Sequence, residues 1–115
     1  METELAAGER ITAIAVPPPP PGGQAYAKVR DRASYAHGLA MVAVAGTRVA
    51  LGAVAAKPWR LPLVEAAVAG RTLGDAAPVA GKIAAEGAVP LTHNAYKLTL
   101  ARNLVKRAIT GKAAS

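Results

Sequence analysis

A chain of 115 residues forms one domain or part of one, with a modest core. It contains no cysteine, which excludes disulfides, thiolate zinc sites and cysteine-held iron–sulfur clusters within this chain. Its formal charge of +7 favours anionic cofactors, nucleic acid or acidic partners without choosing among them.

Hydrophobic residues make up 52% of the chain, but aromatics only 3%, and phenylalanine is absent. The core is therefore built from Ala and Val. Small side chains bury little area, and burial returns only about 25 cal/mol per Å². Such a domain is marginal alone and calls for a partner surface.

The first ten residues, METELAAGER, carry acids and no apolar stretch of signal-peptide type. The expected location is the cytoplasm, with the periplasm open through an exported partner. Residues 9–16 (ERITAIAV) alternate like a strand. The prolines at 17–21 end it, because polyproline II cannot continue a ladder. This run reads as a stiff connector in preference to a ligand for a proline-binding module.

Residues 25–30 form the second predicted strand, inside the segment AYAKVRDRASYAHG. Alternate side chains of a strand share a face, so Lys28, Arg30 and Arg32 are expected to line one side. The alternative is pairing of these cations with Asp31 and neighbouring acids. Residues 31–35 form a polar loop. Two Val-rich strands follow at 39–45 and 47–55, joined by a tight turn at Gly46. Arg48 interrupts the apolar region 39–56, and a spanning helix needs about 20 apolar residues, so no membrane span is expected.

Lys57-Pro58-Trp59-Arg60 breaks the strand pattern. A short helix at 62–69 starts at Pro62 and stops at Gly70. A second helix is capped by Asp75 and runs to about Glu86. The last, 94–110, carries Leu98, Ala101, Leu104, Val105 and Ala108 as an apolar stripe. The predicted fold class is α+β: a small antiparallel sheet of three to four strands followed by a three-helix layer. Residues 1–115 are expected to be a single domain, with a strand and Pro-rich connector at 1–23, the sheet at 24–56 and the helices at 57–115.

Catalytic motifs are lacking. Gly81-Lys82 has neither the spacing nor the hydroxyl residue of a phosphate loop. His37 and His93 have no metal-ligand spacing; His37 is expected beside the strands and His93 at the start of the last helix. Asp31, Ser34 and His37 share one loop too short to arrange around a substrate. No catalytic acid, base or metal ligand is assigned. A cationic strand edge, Trp59 and a basic helix remain.

The segments ELAAGERITAIAVPPPPP, AYAKVRDRASYAHGLAMVAVA, RVALGAVAAKPWR, VEAAVAGRTL and THNAYKLTLARNLVKRAI occur in this order. Together they resemble the C-terminal domain of the flavin-binding medium subunit of molybdenum hydroxylases, over roughly residues 4–112. That family includes xanthine dehydrogenases, aldehyde oxidoreductases and carbon monoxide dehydrogenases; the xanthine and aldehyde branch looks most similar. The resemblance implies an α+β domain that helps to cover FAD. It implies a molybdenum-binding large subunit and an iron–sulfur small subunit as partners. The molybdenum cofactor and the 2Fe–2S clusters belong to those partners alone. Electrons would pass from the clusters to FAD and on to NAD, a quinone, oxygen or another acceptor.

Three positions carry over. The one matching Lys28 lies by the isoalloxazine ring, where a cation favours the anionic reduced flavin. The one matching Ile11 touches the cofactor, and Arg32 matches a loop arginine near the ring. The sequence departs from the family in two respects. The glycine-rich loops of the AGGxS and TxGG kind that hold the FAD pyrophosphate are absent. The hairpin at 45–48 is shorter than the family pattern. Both point to a fragment, a split subunit or a decayed gene product that shares FAD with the remainder of the flavin subunit. As an oxidoreductase component it would be inactive as an isolated chain. The alternative is a structural or interaction remnant that binds no FAD by itself. A basic nucleic-acid binder ranks last, since Tyr26, Tyr35, Tyr96 and Trp59 are the whole aromatic complement.

Overall fold

A turn of two residues sets the architecture. Ala45 pairs with Arg48, leaving Gly46 and Thr47 as the link. Gly46 has a φ of +58°, so glycine stands first in the turn, as a type II′ hairpin requires. The hairpin it closes is the centre of a four-stranded antiparallel sheet. In the computed structural model, which describes residues 4–111, the strands are β1 (Gln24–Val29), β2 (Ala40–Ala45), β3 (Arg48–Gly52) and β4 (Trp59–Arg60). Their spatial order is their chain order. Helices α1 (Pro62–Val68), α2 (Leu73–Ile83) and α3 (Tyr96–Ile109) follow. The α+β class and the strand-then-helix order are as the sequence predicts.

The helices lie on one face of the sheet. Helix α3 packs on β1 and β2, α1 on β3, and α2 fits between α1 and α3. The largest side chains sealed in the core are Val42, Val49, Val64 and Val105. Ala76, Ala77, Ala80 and Ala84 of the α2 segment are buried as well. A Cβ on Gly81 would sit 3.1 Å from the Arg102 carbonyl oxygen, so α2 and α3 nearly touch through their backbones. No buried polar or charged residue occurs among the described residues.

Several expectations are corrected. Residues 9–16 belong to no strand. Ile11, Ile14 and Val16 are 66%, 79% and 82% exposed, because no neighbouring strand offers its backbone groups to them. Alternation suits a strand, yet a ladder needs a partner. The break expected at Trp59-Arg60 is instead the two-residue strand β4, paired to Ala50 and Leu51. Thr72, not Asp75, caps α2: its Oγ1 accepts the Asp75 N–H at 3.3 Å and donates to the Asp75 carboxylate at 2.7 Å. That is a reciprocal cap with the acid three residues inside.

The end of the proline run is anchored. Gly46 N–H donates to the Gly23 carbonyl at 2.9 Å. A Cβ on Gly22 would lie 3.3 Å from Gly46 Cα, so the chain enters the sheet across the β2–β3 turn.

Candidate functional site: the open face of the sheet

Strand alternation divides the sheet into two sides. Ala27, Ala40, Val42, Val49 and Leu51 turn toward the helices and are buried. Their neighbours Tyr26, Lys28, Met41, Ala43, Ala50 and Gly52 belong to the other side. The register sets these in rows: Lys28 opposite Met41 opposite Gly52, and Tyr26 opposite Ala43 opposite Ala50 opposite Arg60. None of the described helices covers this side. Its floor is small and flat at Ala43, Ala50 and Gly52. Tyr26 and Lys28 stand along one edge and Arg60 at the other.

Lys28 is exposed and has no hydrogen-bond or ion-pair partner among the described residues. Pairing with Asp31 is not observed. Arg60, by contrast, is committed: its Nε donates to Glu65 Oε1 at 3.2 Å, and its Nη2 pairs with Oε2. Tyr26 donates its hydroxyl to Met41 Sδ at 3.0 Å.

The cationic edge expected of Lys28, Arg30 and Arg32 is not continuous. The strand ends at Val29, so the alternation that would place Arg30 and Arg32 beside Lys28 stops there. Arg32 serves its own loop: Nη2 donates to the Tyr35 carbonyl at 2.7 Å, across a turn in which Tyr35 has a φ of +50°. Ile11 lies in the unpaired arm, outside the sheet. Of the three predicted residues, the sheet positions Lys28 alone. His37 and His93 are both exposed, so His37 does not pack beside the strands. Among the described residues no three acidic, His or Cys groups cluster as for a metal.

Two features lay beyond sequence reasoning. The Tyr26–Met41 contact joins residues 15 apart, and only the strand register brings them together. The second is a groove of about 310 Å³, with Leu51, Trp59, Leu61, Val89 and Leu98 in its walls. Lys97 is drawn into its wall, donating from Nζ to the Ala53 carbonyl at 3.0 Å.

The flat floor, the free ammonium and the exposed phenol ring suit one side of a planar, electron-accepting ring. They include nothing that grips a pyrophosphate: the glycine-rich loops for that purpose are not among these 115 residues.

The chain is similar to known proteins. The family described as CO dehydrogenase flavoprotein C-terminal domain matches residues 24–111. The chain is also 46% identical over 107 residues to the aldehyde oxidoreductase FAD-binding subunit PaoB of Escherichia coli (strain K12). That alignment covers 89% of this chain and 32% of the relative. The chain thus spans about a third of the length of the curated relative it matches.

Proposed function

Because this chain belongs to the CO dehydrogenase flavoprotein C-terminal domain family, we propose that its open sheet face covers the flavin ring of a molybdenum hydroxylase of the aldehyde or xanthine type. The rest of the FAD-binding subunit would hold the nucleotide. A molybdenum-binding subunit and an iron–sulfur subunit would complete the assembly. FAD, when bound, supplies the exchange of electrons between the iron–sulfur clusters and the final acceptor.

The observation that carries this reading is Lys28: exposed, unpaired among the described residues, and mounted on a strand beside a floor of small side chains. A lysine with no internal partner keeps its full charge available to an incoming anion. Next to a ring that gains negative charge on reduction, it stabilises the reduced state over the oxidised one. Arg32 and Ile11 have lesser parts here. Arg32 would fix the loop beside Lys28, and the Ile11 arm would run along the nucleotide-holding portion.

The test is co-purification of the chain with the remainder of its FAD-binding subunit, followed by a visible spectrum and a flavin potentiometric titration. The expected result is a yellow complex whose midpoint potential falls in Lys28→Gln. Each 30 mV of that fall in a two-electron couple corresponds to about 1.4 kcal/mol of lost stabilisation. A complex with full flavin content and an unmoved potential in Lys28→Gln would overturn the assigned role. A complex that stays colourless with added FAD would favour the structural remnant instead.

A further inference from the structure

Tyr26 is 58% exposed although its hydroxyl is already engaged by Met41 Sδ. A phenol tied down by its oxygen and still more than half open presents ring, not hydroxyl. Met41 is itself held in place. A Cβ on Gly38 would lie 2.8 Å from Met41 Cγ, and one on Gly52 would lie 3.1 Å from Met41 Cε. Neither glycine has a positive φ, so backbone conformation does not require glycine at either position. Space does: the two absent side chains form the slot in which the thioether lies. Sulfur is a soft, polarisable acceptor that suits this crowded contact with an aromatic residue.

We propose that Met41 is a positioning residue that locks Tyr26, and that the locked ring is a contact surface for the flavin beside Lys28. The proposal rests on the reading of the open face given above. Tyr26 and Lys28 are two residues apart on one strand, about 7 Å along the same face. One planar ring can therefore meet both. Their electrostatic effects are opposite in sign. The electron-rich face of a phenol prefers an electron-poor partner, which is the oxidised flavin. The Lys28 ammonium prefers the reduced, more negative ring. Tyr26 would thus hold the potential down while Lys28 holds it up.

The experiment uses the chain co-purified with the remainder of its FAD-binding subunit, and reads flavin fluorescence and midpoint potential. In Tyr26→Ala, loss of a quenching ring raises the fluorescence several-fold, and the potential moves to less negative values. Lys28→Gln moves the potential the other way and leaves the fluorescence nearly unchanged. Met41→Leu keeps the volume but not the sulfur, and Tyr26→Phe keeps the ring but not the donor. Met41→Leu gives a partial rise in fluorescence, because an unlocked phenol still quenches in part, whereas Tyr26→Phe, whose ring is no electron donor, gives a rise as large as Tyr26→Ala. If Tyr26→Ala leaves both readouts unmoved while Lys28→Gln shifts the potential, the proposal is overturned and the flavin-facing reading stands. If Lys28→Gln is also silent, both fall.

A measurement without flavin tests the lock itself. Met1 and Met41 are the two methionines, so a chain labelled with [methyl-13C]methionine gives two assignable methyl signals. The Met41 signal should lie away from its random-coil position and move in Tyr26→Phe. A Met41 signal indifferent to Tyr26→Phe would overturn the lock.

Discussion

Glu65 Oε1 accepts the backbone N–H of Val49 at 3.1 Å, from a helix onto a strand. The strand β4 is only two residues long, and its pairing with β3 stops at Ala50. Val49, one residue further and paired to Val44 of β2 on its other side, has a half-buried N–H that β4 does not reach. The carboxylate at the start of α1 fills that place, while Leu61 N–H donates to the Val49 carbonyl at 2.9 Å. One acid thus completes the ladder, holds Arg60 and fixes α1 to the sheet.

Removing that acid should be costly. Glu65→Ala leaves the Val49 N–H without its acceptor, a loss of about 1–3 kcal/mol. The Arg60 share of that loss is small, because the Arg60 side chain is 61% exposed against 15% for Glu65, and exposed ion pairs are worth at most about 1 kcal/mol. Urea denaturation of the two proteins at neutral pH measures the difference.

The same group gives a pH signature. The hydrogen bond from Arg60 lowers the Glu65 pKa, aided by the Val49 N–H and by the Arg60 and Arg48 charges, against a desolvation that raises it. A carboxyl depressed in the folded state contributes its stability fully above the unfolded value near 4.5. That contribution is lost as pH falls through the lower folded value. The stability gap between the native chain and Glu65→Gln should be constant near neutrality and close in acid. A gap that widens in acid would contradict the arrangement.

Gly81 should tolerate nothing larger. Its Cβ would meet the Arg102 carbonyl oxygen at 3.1 Å and Lys106 Cβ at 3.3 Å. Gly81→Val must push α2 from α3, at about 1–3 kcal/mol. Gly81→Ala should cost less, because a helical alanine recovers about 1 kcal/mol of propensity against the same contact. Thermal unfolding should rank the native chain highest, then alanine, then valine.

Ala53 offers the reverse case. Its φ of +61° is a left-handed conformation that costs a residue with a Cβ about 1–2 kcal/mol. The Lys97 ammonium helps to hold it there through the Ala53 carbonyl. Ala53→Gly should leave stability unchanged or raise it by up to about 1 kcal/mol. Lys97→Met should speed amide exchange across 53–58. Slower exchange in that variant would count against the tether.

The arm makes a negative prediction. Ile14→Ser and Val16→Ser replace side chains already 79% and 82% exposed, so the melting temperature of the chain should not move. Surface changes of this kind stay within about 0.5 kcal/mol. A clear fall in melting temperature would mean that residues 9–16 pair with the sheet after all.

These cases show which features a sequence displays and which it hides. The strand β1 was legible from the alternation around Lys28, and β2 and β3 from their Val-rich, apolar runs on either side of the tight turn at Gly46. The helix α3 was legible from its stripe, though Leu98 proves half-buried and Ile109 joins the core. Trp59-Arg60 was not legible as a strand: Pro58 argues for a break, and two residues are too few to show a period. Residues 9–16 show the opposite error, since alternation says nothing about whether a neighbour exists. At the site, Lys28 could be picked out by its place on a strand. Tyr26 and Met41 could not, because their meeting depends on register, and the purpose of Gly38 and Gly52 appears only once the thioether is in place.

The valine-filled interior has a mechanical consequence. Val42, Val49, Val64 and Val105 each have two groups on Cβ and one strongly preferred rotamer in regular structure. An interior of such stiff pieces, backed by two helices in near-contact, has few alternative packings to shift into. The body from Gln24 to Ile109 therefore behaves as a rigid tile. Any adjustment of fit to a neighbouring surface would fall on the edges of this body and on the proline stretch that leads to it, not on its inside.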